Sequence, residues 1–144
     1  MNTAAHAVTI VMIEDDEGHA RLIEKNLKRA GVFNEVKYFV SGTAAVDYLF
    51  GASRPAHGPL LVLLDLNLPD MSGIDILARL KDDPELRLAP VIVLTTTDDE
   101  REIRRCYELG CNVYITKPVN YESFAQAIRQ LGLFLAVIQV PPAP

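Results

Sequence analysis

Short runs of aliphatic and β-branched residues, each followed by a stretch with helical spacing, recur five times along this chain, and that alternation restricts the fold more than any other feature. Val8–Ile13, Leu60–Leu64 and Val91–Leu94 are almost wholly apolar, the pattern of strands covered on both faces. Glu35–Val40 and Asn112–Ile115 are weaker runs and are predicted as strands nearer the sheet edges. Between them, Ala20, Ile23, Leu27 and Ala30 step by three and four, and Gly31 stops that helix. Ala45, Val46, Leu49 and Phe50 predict a second helix ending at Gly51. Ser72-x-x-Asp75 resembles a capping box for a helix carrying Ile74, Leu77 and Ala78, and Thr97-x-x-Glu100 another, with Ile103, Cys106 and Tyr107 following and Gly110 as its stop. The last helix is predicted from near Asn120, with Phe124, Ile128, Leu131 and Leu135 on one stripe. Such alternation implies right-handed crossovers and a doubly wound α/β fold, a parallel sheet with helices on both faces.

The chain's 144 residues suffice for one domain. A domain of this size buries roughly 68–70% of its unfolded surface, so it needs neither disulfide nor metal to fold. Cys106 and Cys111 match no zinc or redox spacing and read as reduced thiols, Cys106 in the core. A net charge of −5 argues against a surface that holds nucleic acid or anionic lipid. The amino-terminal stretch lacks the basic flank of a signal peptide, and no apolar run nears the ~18 residues of a membrane span. The expectation is a cytoplasmic single domain with no membrane partner.

Doubly wound sheets place their sites beyond the carboxyl ends of the strands. There the sequence puts Glu14, Asp15, Asp16 and Glu17 after the first strand and Asp65 after the third. Thr95, Thr96 and Thr97 follow the fourth, and Thr116, Lys117 and Pro118 the fifth. Acids opening a helix suit its macrodipole, and a lone lysine is usually a surface lysine. Asp65 directly follows five apolar residues, where a buried strand has no cheap use for a carboxylate. Glu14, Asp15 and Asp65 brought together would repel; against Lys117 they leave a formal −2, which one divalent cation neutralises. Oxygen ligands of this kind suit Mg²⁺, or Mn²⁺, rather than zinc, and such a site handles phosphoryl groups. His6, His19 and His57 are scattered, read as solvent-facing, and supply no general base. No Gly-rich loop follows the first strand, which argues against dinucleotide binding.

Four fragments in order resemble the response-regulator receiver domain of two-component signalling: Ile13-Glu14-Asp15-Asp16, Leu64-Asp65-Leu-Asn-Leu-Pro-Asp-Met-Ser-Gly73, Leu94-Thr95-Thr96 and Tyr114-Ile-Thr-Lys117-Pro118. The resemblance covers residues 7 to about 131, giving a receiver domain at 1–131 and an apolar carboxyl-terminal extension at 132–144. It implies the flavodoxin-like receiver fold, with five parallel strands in the order 2-1-3-4-5 and five helices. It also implies that Asp65 accepts a phosphoryl group from a histidine kinase, and that Glu14, Asp15, Asp65 and the Asn67 carbonyl hold Mg²⁺. Lys117 and Thr95 would contact the phosphoryl oxygens, Thr95 and Tyr114 would switch, and Lys117–Pro118 would be cis. Thr96 is bulkier than the family's common residue there and would narrow access, and Asp70 would cap the loop after Asp65. With no output domain in the chain, the expectation is a stand-alone receiver that signals through a partner rather than an enzyme. Phe33–Phe50 and the segment from Asn120 to the tail resemble receivers that accompany phytochrome-type histidine kinases. The alternatives are a receiver-like binding module that takes no phosphate, or a Mg²⁺-dependent aspartyl phosphatase; the latter needs a second acid where Asn67 stands.

Leu131–Ile138 contains no polar residue, and one helical stripe already covers a sheet. Whether the helix continues or Gly132 ends it, Leu133, Phe134, Val137 and Ile138 need cover. Together they would exceed the ~300–600 Å² patch usual on a monomer, which predicts a homodimer packed through the tails.

Overall fold

The computed structural model describes residues 8–51, 58–118 and 120–135, without the side chains of Tyr121, Leu133 and Phe134. The chain alternates β1 (Thr9–Ile13), α1 (Glu17–Arg29), β2 (Val36–Phe39), α2 (Gly42–Phe50), β3 (Leu60–Leu64), α3 (Gly73–Asp82), β4 (Val91–Thr95), α4 (Glu100–Leu109), β5 (Val113–Thr116) and α5 (Tyr121–Leu135). All strands are parallel in the order β2-β1-β3-β4-β5, and each matches its expected run within one residue at either end.

Strand alternation sorts the core onto two faces. Val11, Ile13, Val62, Leu64 and Val93 pack under α2, α3 and α4 against Ala45, Leu49, Ile76, Leu77, Leu80 and Cys106. Ile10, Met12, Leu61, Leu63, Ile92 and Leu94 pack under α1 and α5 against Ile23, Leu27, Phe124, Ile128 and Leu131. All of β3 is buried, so each of its side chains contributes roughly 1.5–3 kcal/mol of apolar burial. Cys106 and Cys111 are buried free thiols, and burial pushes Cys106 up to about 11.

The register aligns the strand ends that carry the chemistry. Ile13 pairs with Phe39 on one side and Leu64 on the other, Leu64 with Val93, and Thr95 with Thr116. Glu14 and Asp65 thus emerge side by side at the switch point of the sheet, with Lys117 two strands beyond Asp65. Gly73 brings α3 up against them. A Cβ there would lie 2.4 Å from the Asp65 carbonyl oxygen, so the close approach requires glycine.

One helix start differs from expectation. Asp99, not Thr97, caps α4, its Oδ1 accepting the Arg101 N–H at 2.8 Å. Thr97 is engaged elsewhere: its carbonyl accepts the Tyr114 hydroxyl and its Oγ1 the Asn67 amide. Ser72 caps α3 through the Ile74 N–H. α5 continues through Gly132, whose small size admits close contact with α1: a Cβ there would lie 2.6 Å from Ala30 Cβ. Val137 and Ile138 lie outside the described residues, as do the side chains of Leu133 and Phe134. No cis peptide bond occurs among the described residues, so Lys117–Pro118 is trans, the isomer that X–Pro bonds favour by about 0.5–1 kcal/mol. No helix among those residues is long and apolar enough to cross a membrane.

Candidate functional site

Glu14 and Asp65 are buried at the ends of β1 and β3, while Asp15 is exposed beside them. One carboxylate oxygen from each of the three lies within 4.8 Å of the others. Lys117 enters from the end of β5, where its backbone N–H donates to the Thr95 carbonyl at 2.6 Å. Its buried ammonium donates to Glu14 Oε1 and to Asp65 Oδ2, the latter at 3.1 Å, and lies 3.2 Å from His19 Nδ1. Asp65 Oδ1 accepts the Asn67 N–H at 3.0 Å, and Glu14 Oε2 accepts the Asp16 N–H at 3.2 Å. Outside Asp15, an open cleft of about 560 Å³ is lined by Asn67, Asp70, Ser72 and Glu102.

The two buried acids respond differently to this setting. Burial dominates at Glu14 and pushes its carboxyl up to about 7, against the pull of Lys117. Burial acts the same way on Asp65, but the Asn67 N–H and the Lys117 charge outweigh it and hold Asp65 below the ordinary carboxylate range. A hard divalent cation would offset the formal −2 that Glu14, Asp15 and Asp65 leave against Lys117. The oxygen-only donors of Glu14, Asp15 and Asp65, with Asp15 open to water, fit Mg²⁺ or Mn²⁺.

Thr95 is fully buried at the end of β4, and its Oγ1 accepts the Asn67 side-chain amide at 3.2 Å. The same amide reaches Thr97 Oγ1 at 3.1 Å and the exposed Thr96 at 3.5 Å, bracing the loop after Asp65 against the loop after β4. Tyr114 is half-buried; its hydroxyl donates to the Thr97 carbonyl at 2.6 Å, and burial pushes it well above its usual range. Asp16 is exposed and lies outside the carboxylate trio, capping α1 by accepting the His19 N–H at 3.0 Å. Asp70 reaches beyond the loop after Asp65: it accepts the Gly42 N–H at 2.9 Å and the Thr43 N–H at 2.7 Å at the start of α2, whose N-cap is Ser41. His19 is only partly exposed and packs edge-on against Phe124, whereas His6 and His57 lie outside the described residues. The Asn67 side chain and His19 are thus site residues for which sequence reasoning found no role.

The family model for the response regulator receiver domain matches residues 10–129. The chain belongs to the response-regulator receiver family. Receivers are signalling modules rather than classical enzymes, and the Glu14, Asp15 and Asp65 trio is typical of a receiver metal site. A receiver-domain crystal structure from Rhodospirillum rubrum is 65% identical, with a TM-score of 0.90 over 94% of this chain and 98% of that one. The phosphorylated cyanobacterial phytochrome response regulator RcpA is 37% identical, with a TM-score of 0.81 over 94% and 99% of the two chains. Response regulator Rcp1 of Synechocystis is 34% identical over 137 residues, 93% of either chain. The Mn²⁺-bound form of Rcp1 superimposes with a TM-score of 0.81, at 32% identity over 92% of this chain and 98% of that one.

Proposed function

We propose that this receiver is a cytoplasmic, single-domain response regulator in which Asp65 accepts a phosphoryl group from a phytochrome-type histidine kinase. The observation that carries the reading is the Asp65 carboxylate buried against Lys117 and grouped with Glu14 and Asp15. The likeness to RcpA over nearly the whole chain supports the phytochrome link, and the likeness to RcpA and Rcp1 over nearly the whole of each supports the single-domain organisation.

In this reading Glu14, Asp15, Asp65 and the Asn67 carbonyl hold Mg²⁺, or Mn²⁺ in its place. The ion, when bound, offsets the charge of the phosphoryl donor. Lys117 supplies the fixed positive charge for the transferred oxygens. The Thr95 hydroxyl exchanges its bond from Asn67 for one donated to a phosphoryl oxygen. That shift opens space toward which Tyr114 moves, changing the face formed by α4, β5 and α5 that a partner reads. Only a differential interaction with the two states can move this equilibrium, and the new negative charge supplies it. The apolar run Leu131–Ile138 exceeds what one helix stripe uses on its own sheet, which supports a homodimer through Leu133, Phe134, Val137 and Ile138.

The test is phosphotransfer from a labelled phytochrome-type kinase. Label should move to this chain in Mg²⁺ and stay on the kinase in EDTA; transfer at the same rate in EDTA would contradict the reading.

A further inference from the structure

His19 is the third residue of α1, a position where a capping box would carry Glu or Gln reaching back to the N-cap N–H. Here that N–H, on Asp16, is already taken by Glu14 Oε2 at 3.2 Å, while Asp16 Oδ1 accepts the His19 N–H at 3.0 Å. The His19 side chain turns toward β5, with its Nδ1 also 3.7 Å from Asp16 Oδ2 and 4.0 Å from Glu14 Oε1. Its Nδ1 lies 3.2 Å from Lys117 Nζ, and its ring meets the buried Phe124 edge-on, at 5.3 Å between centroids and 84° between planes.

A lysine ammonium has three N–H groups to place and accepts nothing. At Lys117, Glu14 takes one and Asp65 a second, which leaves the third facing His19 Nδ1. The ammonium is buried, so an unmet N–H would cost the full loss of its hydration. Two donors cannot bond each other, so for Nδ1 to accept this N–H it has to be the bare nitrogen, with the ring proton on Nε2.

We propose that His19 is a positioning residue that aims Lys117 at Asp65 by accepting its third N–H. The proposal rests on the reading of Asp65 as phosphoacceptor. A neutral acceptor does what a further carboxylate could not: it fixes the ammonium without adding negative charge beside an incoming phosphoryl group. It also keeps its hold when phosphoryl oxygens replace Asp65 Oδ2 as the second partner. Phe124 fixes the plane of the ring, which ties the direction of Nδ1 to the first turn of α5.

The test compares His19→Phe, which keeps a ring against Phe124 but has no acceptor, with His19→Asn, whose Oδ1 can stand where Nδ1 stood. Labelling by acetyl phosphate in saturating Mg²⁺ should slow about tenfold in His19→Phe, the size of one lost hydrogen bond to a charged group, and stay within about threefold of wild type in His19→Asn. Long-range ¹H–¹⁵N spectra of the wild-type ring at about pH 8 should show the proton on Nε2 and Nδ1 bare. His19→Phe labelling at the wild-type rate would overturn the proposal, as would His19→Asn as slow as His19→Phe, or a proton found on Nδ1. Wild type that takes no label at all would instead overturn the phosphoacceptor reading and the kinetic role with it; the spectrum still decides whether Nδ1 is the acceptor.

Discussion

Gly73 Cα faces the Asp65 carbonyl so closely that a Cβ on it would lie 2.4 Å from that oxygen and 2.7 Å from Leu66 Cα. Both obstacles are backbone, so neither can rotate aside. Gly73→Ala is expected to push α3 away from the end of β3 and to destabilise the fold by about 1–3 kcal/mol, the usual cost of overpacking. Urea unfolding followed by circular dichroism measures this; an unchanged midpoint would show that the loop between them relaxes freely.

Lys117 is bonded to both Glu14 and Asp65, and its side chain is 2% exposed. Lys117→Met should cost about 3–5 kcal/mol, because it leaves buried acids unpaired. Added Mg²⁺ should restore more stability to the variant than to wild type, since a ligand that binds only the folded state stabilises it by mass action. Thermal unfolding with and without Mg²⁺ reads both effects.

Asp70 holds the amino terminus of α2 from outside the helix, and its carboxyl sits at about 2, lowered first by the Thr43 hydroxyl and then by the Thr43 and Gly42 N–H groups. A folded-state value below the unfolded one means the contribution is present above about pH 4 and is lost as pH falls through about 2. Asp70→Asn should therefore melt below wild type at pH 6, with the gap closing toward pH 2. A gap that does not depend on pH would assign the effect to shape rather than charge.

The sheet was legible because its inner strands are covered on both faces, so Val8–Ile13, Leu60–Leu64 and Val91–Leu94 carry no polar alternation to blur their limits. Glu14 and Asp65 were legible for a related reason: a carboxylate directly after a buried strand has no packing role to hide behind, whereas Lys117 follows the half-buried β5 and stood out only together with the other strand ends. Asp70 was not, because its partners Gly42 and Thr43 lie 28 and 27 residues back and only the folded loop brings them together. The start of α4 was misread because Thr97 makes a good cap in isolation, yet its carbonyl and hydroxyl are spent on Tyr114 and Asn67. His19 looked like a surface residue on a polar helix end; its contacts are with Lys117 and Phe124, about a hundred positions away.

The homodimer reading makes a separate demand on the tail. Leu131 is buried in the core, so stopping the chain after Gln130 would remove packing as well as any interface. A version ending at Leu135 keeps α5 and removes Val137 and Ile138. Light scattering at tens of micromolar should give a dimer for the full chain and a lower mass for this version. A monomeric full chain would end the dimer reading.

Asp65→Asn removes charge while keeping the shape of the side chain, so the fold should survive where the chemistry does not. Intact-mass measurement after incubation with acetyl phosphate and Mg²⁺ is the most direct test. The wild-type chain should gain one phosphoryl group and Asp65→Asn none, with both showing the same circular dichroism. An Asp65→Asn protein that still gains the group, or a wild type that never does, would contradict the assignment of Asp65 as phosphoacceptor.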